Sequence, residues 1–184
     1  MDRAPDKPSR QSDLSTTGNP SFEVVKLREA WEHIIVDIIR QNLDSFEDAG
    51  SVLAASFRRL ESFYQTYSLT GSAYFVIVEK STGKLVGGAG IGPLAGLPYT
   101  EGVGEIRELV IQKSYRKKGL GAALLQKCLD HSDSLNYKRL YLETTTQMQG
   151  AQRLFQRFGF RPIQQGPDLG KPPCYYMRDG TQAT

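Results

Sequence analysis

Cysteine is scarce. Of 184 residues only Cys128 and Cys174 carry a thiol, which excludes a disulfide framework and a thiolate metal cage. Histidine is as thin, with His33 and His131 alone, and neither stands in a ligand pattern, so no metal is expected. Charge of one sign is not in excess, because 23 Lys and Arg against 20 Asp and Glu leave +3. That is too little for a chain coated by nucleic acid. Long apolar runs are missing: the longest, Ala73 to Val78, has six residues, against roughly 20 for a membrane-spanning helix. Residues 1–20 hold three acids, three bases and three prolines without an apolar stretch, unlike a secretory leader. These absences point to a cytoplasmic protein with reduced thiols, bound neither to membrane nor to nucleic acid.

What is present is an ordinary globular composition, 39% apolar and 23% charged, of a length that suits one domain. Residues 1–20 lack the apolar side chains that offset ordering entropy and read as a disordered tail, leaving 21–180 as the folded domain. From Phe22 a short strand is expected, then a helix striped by Trp31, Ile34, Ile35, Ile38 and Ile39, then a second striped by Leu53, Phe57, Leu60 and Tyr64. Two β-rich runs, Ala73–Glu79 and Leu85–Ile91, flank a hairpin turn at Lys80–Gly83. Gly92 to Gly104 reads as a long Gly/Pro loop of the kind that carries function. Then follow a strand over Glu105–Ile111, a helix over Lys118–His131, a strand over Arg139–Thr144 and a helix over Gly150–Phe158. Short strands at Phe160–Ile163 and Cys174–Met177 close the chain. Hairpins followed by strand–helix–strand crossovers make a single α/β (α+β) domain.

The chemistry is concentrated after the strand ending at Ile111. A basic turn holds Lys113, Arg116, Lys117 and Lys118, Gly119 and Gly121 alternate, and an apolar helix begins at once. Backbone N–H groups at a helix start, unobstructed by side chains, can hold an anion such as a pyrophosphate. Three such bonds to a charged oxygen, at ~1.5–3 kcal/mol each, would anchor a nucleotide tail. A Walker A loop is excluded because Ala122 and Ala123 follow Gly121. A dinucleotide fingerprint is excluded because Leu124 stands where its third small residue belongs. Spacing alone leaves a solvated basic turn, its glycines serving geometry, as the other reading.

Arg116-Lys-Lys-Gly119-Leu-Gly121 resembles the Arg/Gln-x-x-Gly-x-Gly/Ala signature of the GNAT-type N-acetyltransferases. Glu105-Ile-Arg-Glu-Leu-Val-Ile is similar to that family's fourth strand. Ala151-Gln-Arg-Leu-Phe155-Gln-Arg-Phe-Gly159-Phe160 is similar to its later Ala-x-x-Leu-Tyr-x-x-x-Gly-Phe block. The resemblance covers about Leu85 to Phe160. It implies a mixed, mostly antiparallel sheet of six to seven strands with about four helices, splayed between the fourth and fifth strands. It also implies acetyl-coenzyme A as cosubstrate, its pyrophosphate on Arg116, Lys117, Lys118, Gly119, Leu120, Gly121 and Ala122. The pantetheine arm is then expected along Leu109, Val110 and Ile111, near Met148 and Phe155.

Acetyl transfer to an amine needs a neutral nucleophile, a polarised carbonyl and a proton for the leaving thiolate. The resemblance makes Glu105 the candidate base. Glu108 is a second candidate, on the opposite face of a regular strand unless a bulge intervenes. Phe155 departs from the family's tyrosine and has no proton to give, and Met148 replaces a common asparagine. Glu143 and Tyr176 are candidates for binding a small-molecule amine, Glu143 with a basic cross-strand partner as its alternative. The acceptor pocket is expected between the first two helices, the Gly92–Gly104 loop and the last hairpin. Cys128 reads as core, and His131 as an imidazolium suited to a helix end. A catalytically silent acyl-coenzyme A-binding module is the competing reading. Relatives of this type are often dimers, so a homodimer is an expectation.

Overall fold

A computed structural model describes residues 19–43, 58–145, 148–163 and 174–180. Its strands are β1 (Phe22–Lys26), β2 (Ala73–Glu79), β3 (Leu85–Pro93), β4 (Val103–Ile111), β5 (Arg139–Thr144), β6 (Arg161–Ile163) and β7 (Cys174–Asp179). They form one mixed sheet in the order β1-β2-β3-β4-β5-β7-β6. Among the described residues only the β4–β5 pair is parallel. The helices described are α1 (Glu32–Leu43), α2 (Phe63–Ser68), α3 (Leu120–Ser134) and α4 (Gln149–Arg157). A parallel pair needs a crossover, and α3 supplies it between β4 and β5.

Each sheet face carries its own core. On one, α3 lays Leu120, Leu124, Leu125 and Cys128 over Phe75, Ile77, Ala89, Ile91 and Ile106, with Phe155 of α4 beside them. On the other, Ile35, Ile38 and Ile39 of α1 and Phe63 and Tyr67 of α2 cover Tyr74, Val76, Leu85 and Val110. Full burial of each large apolar side chain contributes ~1.5–3 kcal/mol. A sheet covered on both sides explains why β2 is a continuous Ala-Tyr-Phe-Val-Ile-Val run rather than an alternating one.

The α1 stripe is rotated from the expected one: Ile35, Val36, Ile38 and Ile39 are buried, while Ile34 stays 37% exposed. The second helix is interrupted. Residues 58–60 are helical, a turn follows at Glu61–Ser62, and α2 then buries Phe63 and Tyr67 rather than Tyr64. Leu53 and Phe57 lie outside the described residues, as does the expected tail apart from Asn19 and Pro20. The Lys80–Gly83 turn forms, closed by the Gly83 N–H donating to Glu79 O at 2.8 Å with Gly83 at φ +71°. The Gly92–Gly104 loop is shorter than expected, because β3 runs on to Pro93 and β4 starts at Val103.

Candidate active site

The site is organised by a bulge in β4. Gly90 pairs with Arg107 and Gly88 with Val110, so three steps along β4 match two along β3 and one residue is extra. Glu108 takes up the difference at φ +42°, a left-handed conformation that costs a non-glycine residue about 1–2 kcal/mol. The extra residue restores Glu108 to the face that carries Glu105 and Arg107. The two candidate glutamates, expected on opposite faces of a regular strand, therefore share one. Pairing with β5 also ends just before the bulge, at Ile106 with Leu142. Beyond it, Arg107–Ile111 pairs with β3 alone among the described residues and presents a free edge toward β5.

Glu105 and Glu108 have different surroundings. The Glu105 Oε2 accepts from Arg107 Nε at 2.7 Å, and Arg107 also donates to Pro93 O. Its other oxygen, Oε1, has no hydrogen-bond donor among the described residues. The Glu108 side chain is 1% exposed. Its Oε1 accepts from Arg59 Nε at 2.7 Å, its Oε2 from the Tyr67 hydroxyl, and its carbonyl from the Tyr74 hydroxyl at 2.9 Å. Burial and the neighbouring carboxylate push both phenols well above the ordinary tyrosine range. Burial opposes the Arg59 charge, but Glu108 and Tyr67 outweigh it and the guanidinium is raised.

Arg59, Tyr67, Tyr74 and Arg107 were not legible as a group in the chain. The signal lies in the alternate glycines of β3. An added Cβ at Gly88 would stand 2.8 Å from Tyr74 Oη, at Gly90 2.5 Å from Tyr67 Cζ, and at Gly92 3.0 Å from Arg107 Nη1. Bare alternate positions let those side chains lie flat on one sheet face.

At the far end of β4 the chain turns through Lys117 at φ +63° and Gly119 at φ +78° into α3. The first bond within α3 is Ala123 N–H to Gly119 O at 3.1 Å, which leaves the N–H groups of Gly119, Leu120, Gly121 and Ala122 ahead of it. No atom lies within 4 Å of a Cβ added at Gly119, and one at Gly121 would meet Leu154 Cδ2 at 3.4 Å. Arg116 braces the turn, donating from Nε to Ile111 O at 3.1 Å and from Nη2 to Asn42 Oδ1 at 2.7 Å. Lys117 is exposed, and Lys118 sits over the Tyr115 ring, 5.0 Å from its centroid. The open start of α3 thus adjoins the free edge formed by Leu109, Val110 and Ile111.

The remaining candidates divide. Glu143, half-buried, pairs in register with Tyr175 and by alternation faces the Glu105 side, since Glu105 is opposite Tyr141. Tyr176 is 3% exposed and packed against Phe155 at 6.2 Å on the α3 face. Strand alternation therefore directs it away from the Glu105 face. Phe155 is buried between Phe160 and Tyr176. Met148 Sδ accepts from Thr144 Oγ1 at 3.4 Å. Cys128 is fully buried and its thiol pushed up. His131 departs from expectation: burial, then Lys26 and Lys127, lower its pKa despite the helix end. The side chain of Cys174 lies outside the described residues.

A splayed parallel pair, a bulged strand and an open helix start beside it are the features that the resemblance to an acetyltransferase fold led one to expect. The model of the acetyltransferase (GNAT) family matches residues 36–160. The chain belongs to that family. It is 35% identical over 104 residues to the uncharacterized N-acetyltransferase YjgM of Escherichia coli (strain K12), covering 56% of this chain and 60% of that one. It is 31% identical over 87 residues to the uncharacterized N-acetyltransferase YsnE of Bacillus subtilis (strain 168), covering 46% and 56%. The match spans less than two-thirds of either relative's length. In fold it is similar to yncA from Salmonella typhimurium, solved with its cofactor acetyl-CoA, at TM-score 0.70 and 19% identity over 89% of this chain and 96% of that one. It is also similar to an acetyltransferase of the GNAT family from Staphylococcus aureus Mu50, at TM-score 0.68 and 19% identity over 86% and 98%. Among the described residues no helix is long and apolar enough to cross a membrane.

Proposed function

We propose that this chain transfers the acetyl group of acetyl-coenzyme A to a primary amine of a small molecule by direct attack in a ternary complex. The observation that carries the reading is the free edge of β4 adjoining the open N-terminus of α3. The residues fit the cosubstrate. The N–H groups of Gly119 to Ala122 take the pyrophosphate, with Lys117 and Lys118 at hand for further phosphate charge. The main chain of Leu109 to Ile111 pairs with the pantetheine amides, which supplies partners to a strand edge that lacks them.

Glu105 is the base. Arg107 fixes one of its oxygens and leaves the other open, so the carboxylate can take a proton from the acceptor ammonium directly or through one water. The free amine attacks the thioester carbon, the C–N bond forms, and the C–S bond breaks. The carbonyl oxygen is held by a main-chain N–H near Val110. The amine's remaining extra proton ends on the departing thiolate, delivered by water because Phe155 has none. Glu143, on the same face as Glu105, draws a cationic acceptor toward the site.

Calorimetric titration with acetyl-coenzyme A tests the first half. Binding is expected in the unaltered protein and is lost in Gly121→Glu. That variant keeps its melting temperature, because a carboxylate suits a helix N-terminus. Absence of binding in the unaltered protein refutes the reading. Phe155 favours one alternative, a binding module without chemistry. Thiol release measured over a panel of amines separates the two, since only the enzyme yields acceptor-dependent coenzyme A, and Glu105→Gln then slows it by about 10²–10⁴-fold.

A further inference from the structure

Position 108 is where the backbone favours glycine, and the chain places there a carboxylate that is almost wholly enclosed. Three separate segments converge on it. Arg59 comes from residues 58–60, Tyr67 from α2 and Tyr74 from β2, and they occupy both side-chain oxygens and the main-chain carbonyl. The bulge so held is the point where β4 leaves β5 and the free edge begins. With its oxygens taken up by a guanidinium and a phenol, Glu108 differs from Glu105, which keeps Oε1 open.

We infer that Glu108 is a positioning residue. Clamped by Arg59, Tyr67 and Tyr74, it sets the gap between β4 and β5 and ties α2 to the strand that aligns the thioester. The inference rests on the proposed acetyl transfer. In it Glu105 moves the proton, while Glu108 holds the main chain of Leu109 to Ile111 at the angle that presents the acetyl carbonyl. A clamp reaching from α2 to this strand also means that an acceptor shifting α2 is felt at the acetyl group.

The test pairs Glu108→Gln, which keeps shape and removes charge, with Tyr67→Phe, which keeps the ring and removes one donor. A misaligned thioester costs roughly 10²-fold, so kcat is expected to fall by about 10–100-fold in Glu108→Gln and by less in Tyr67→Phe. The acid limb of the kcat/KM pH profile should stay where it is in both, because the proposed base, Glu105, is unaltered in each. Amide hydrogen exchange should speed up selectively at residues 108–111, with the α3 core unchanged. Loss of the acid limb in Glu108→Gln would make Glu108 the base and overturn the assignment. Unchanged kcat and unchanged exchange in both variants would overturn it too. So would a variant whose only defect is a lower melting temperature. If the unaltered protein releases no thiol, the functional reading fails, while selective exchange at 108–111 in Glu108→Gln still upholds the clamp.

Discussion

Gly90→Ala is the smallest change that should disrupt the sheet face covered by α1 and α2. In a strand interior alanine is ordinarily favoured over glycine by roughly 0.5–1 kcal/mol. Here the sign reverses. The new methyl would stand 2.5 Å from Cζ and 2.6 Å from the hydroxyl oxygen of Tyr67. That ring is 2% exposed and held between Phe63 at 4.9 Å and Tyr74 at 5.0 Å, so it cannot step aside. Overpacking a full core costs about 1–3 kcal/mol, and pulling the phenol off Glu108 forfeits a charged hydrogen bond of ~1.5–3 kcal/mol. Together the loss is about 2.5–6 kcal/mol, a large share of the roughly 5–15 kcal/mol that holds a domain together. At ~2–4 °C per kcal/mol for a domain of this size, the melting temperature should drop by roughly 5–24 °C. Thermal unfolding followed by circular dichroism reads this directly. A double-mutant cycle with Tyr67→Leu isolates the cause: in that background Gly90→Ala should cost little, giving a coupling of at least ~2 kcal/mol. A cost that is the same in both backgrounds, or a melting point within about 2 °C of the unaltered protein, refutes the account of the glycine-lined face.

Other consequences are simpler to check. Gly150, in the first turn of α4, has no atom within 4 Å of an added Cβ, so Gly150→Ala should stabilise by a few tenths to about 1 kcal/mol on helix propensity, measured by urea unfolding. His131 has its pKa lowered below 6.5 by burial and by Lys26 and Lys127. As pH falls through 6.5 the unfolded chain takes up a proton that the folded state refuses, so stability is lost as pH drops below that value. His131→Gln should flatten that part of the stability profile, and an unchanged slope would count against the assignment.

Much of the architecture was legible from spacing. The β-rich runs, the Lys80–Gly83 turn and the α3 and α4 stripes emerge where periodicity and glycine placement put them, because each answers to neighbours within a few residues. The second helix was misread at its end. Its stripe continues in the sequence through Tyr64, but the turn at Glu61–Ser62 shifts the buried set to Phe63 and Tyr67. A break of that kind is stabilised from outside: the Tyr64 N–H donates to Glu32 Oε1 of α1 at 2.8 Å. Tyr176 was expected at the acceptor and is directed instead to the opposite face, since register with Leu142 and Ile106 fixes its side.

The bend ahead of α3 belongs to the chain itself, since Lys117, Gly119 and the apolar residues after them set a left-handed turn and a helix start through local sterics. Which face of the sheet Glu108 occupies does not. That depends on one extra residue in β4, held in a strained conformation by Arg59, Tyr67 and Tyr74 from 34 to 49 positions away in sequence. A strand of alternating residues carries no local mark of where its pairing will slip, because the slip is stabilised by partners that only folding brings within reach.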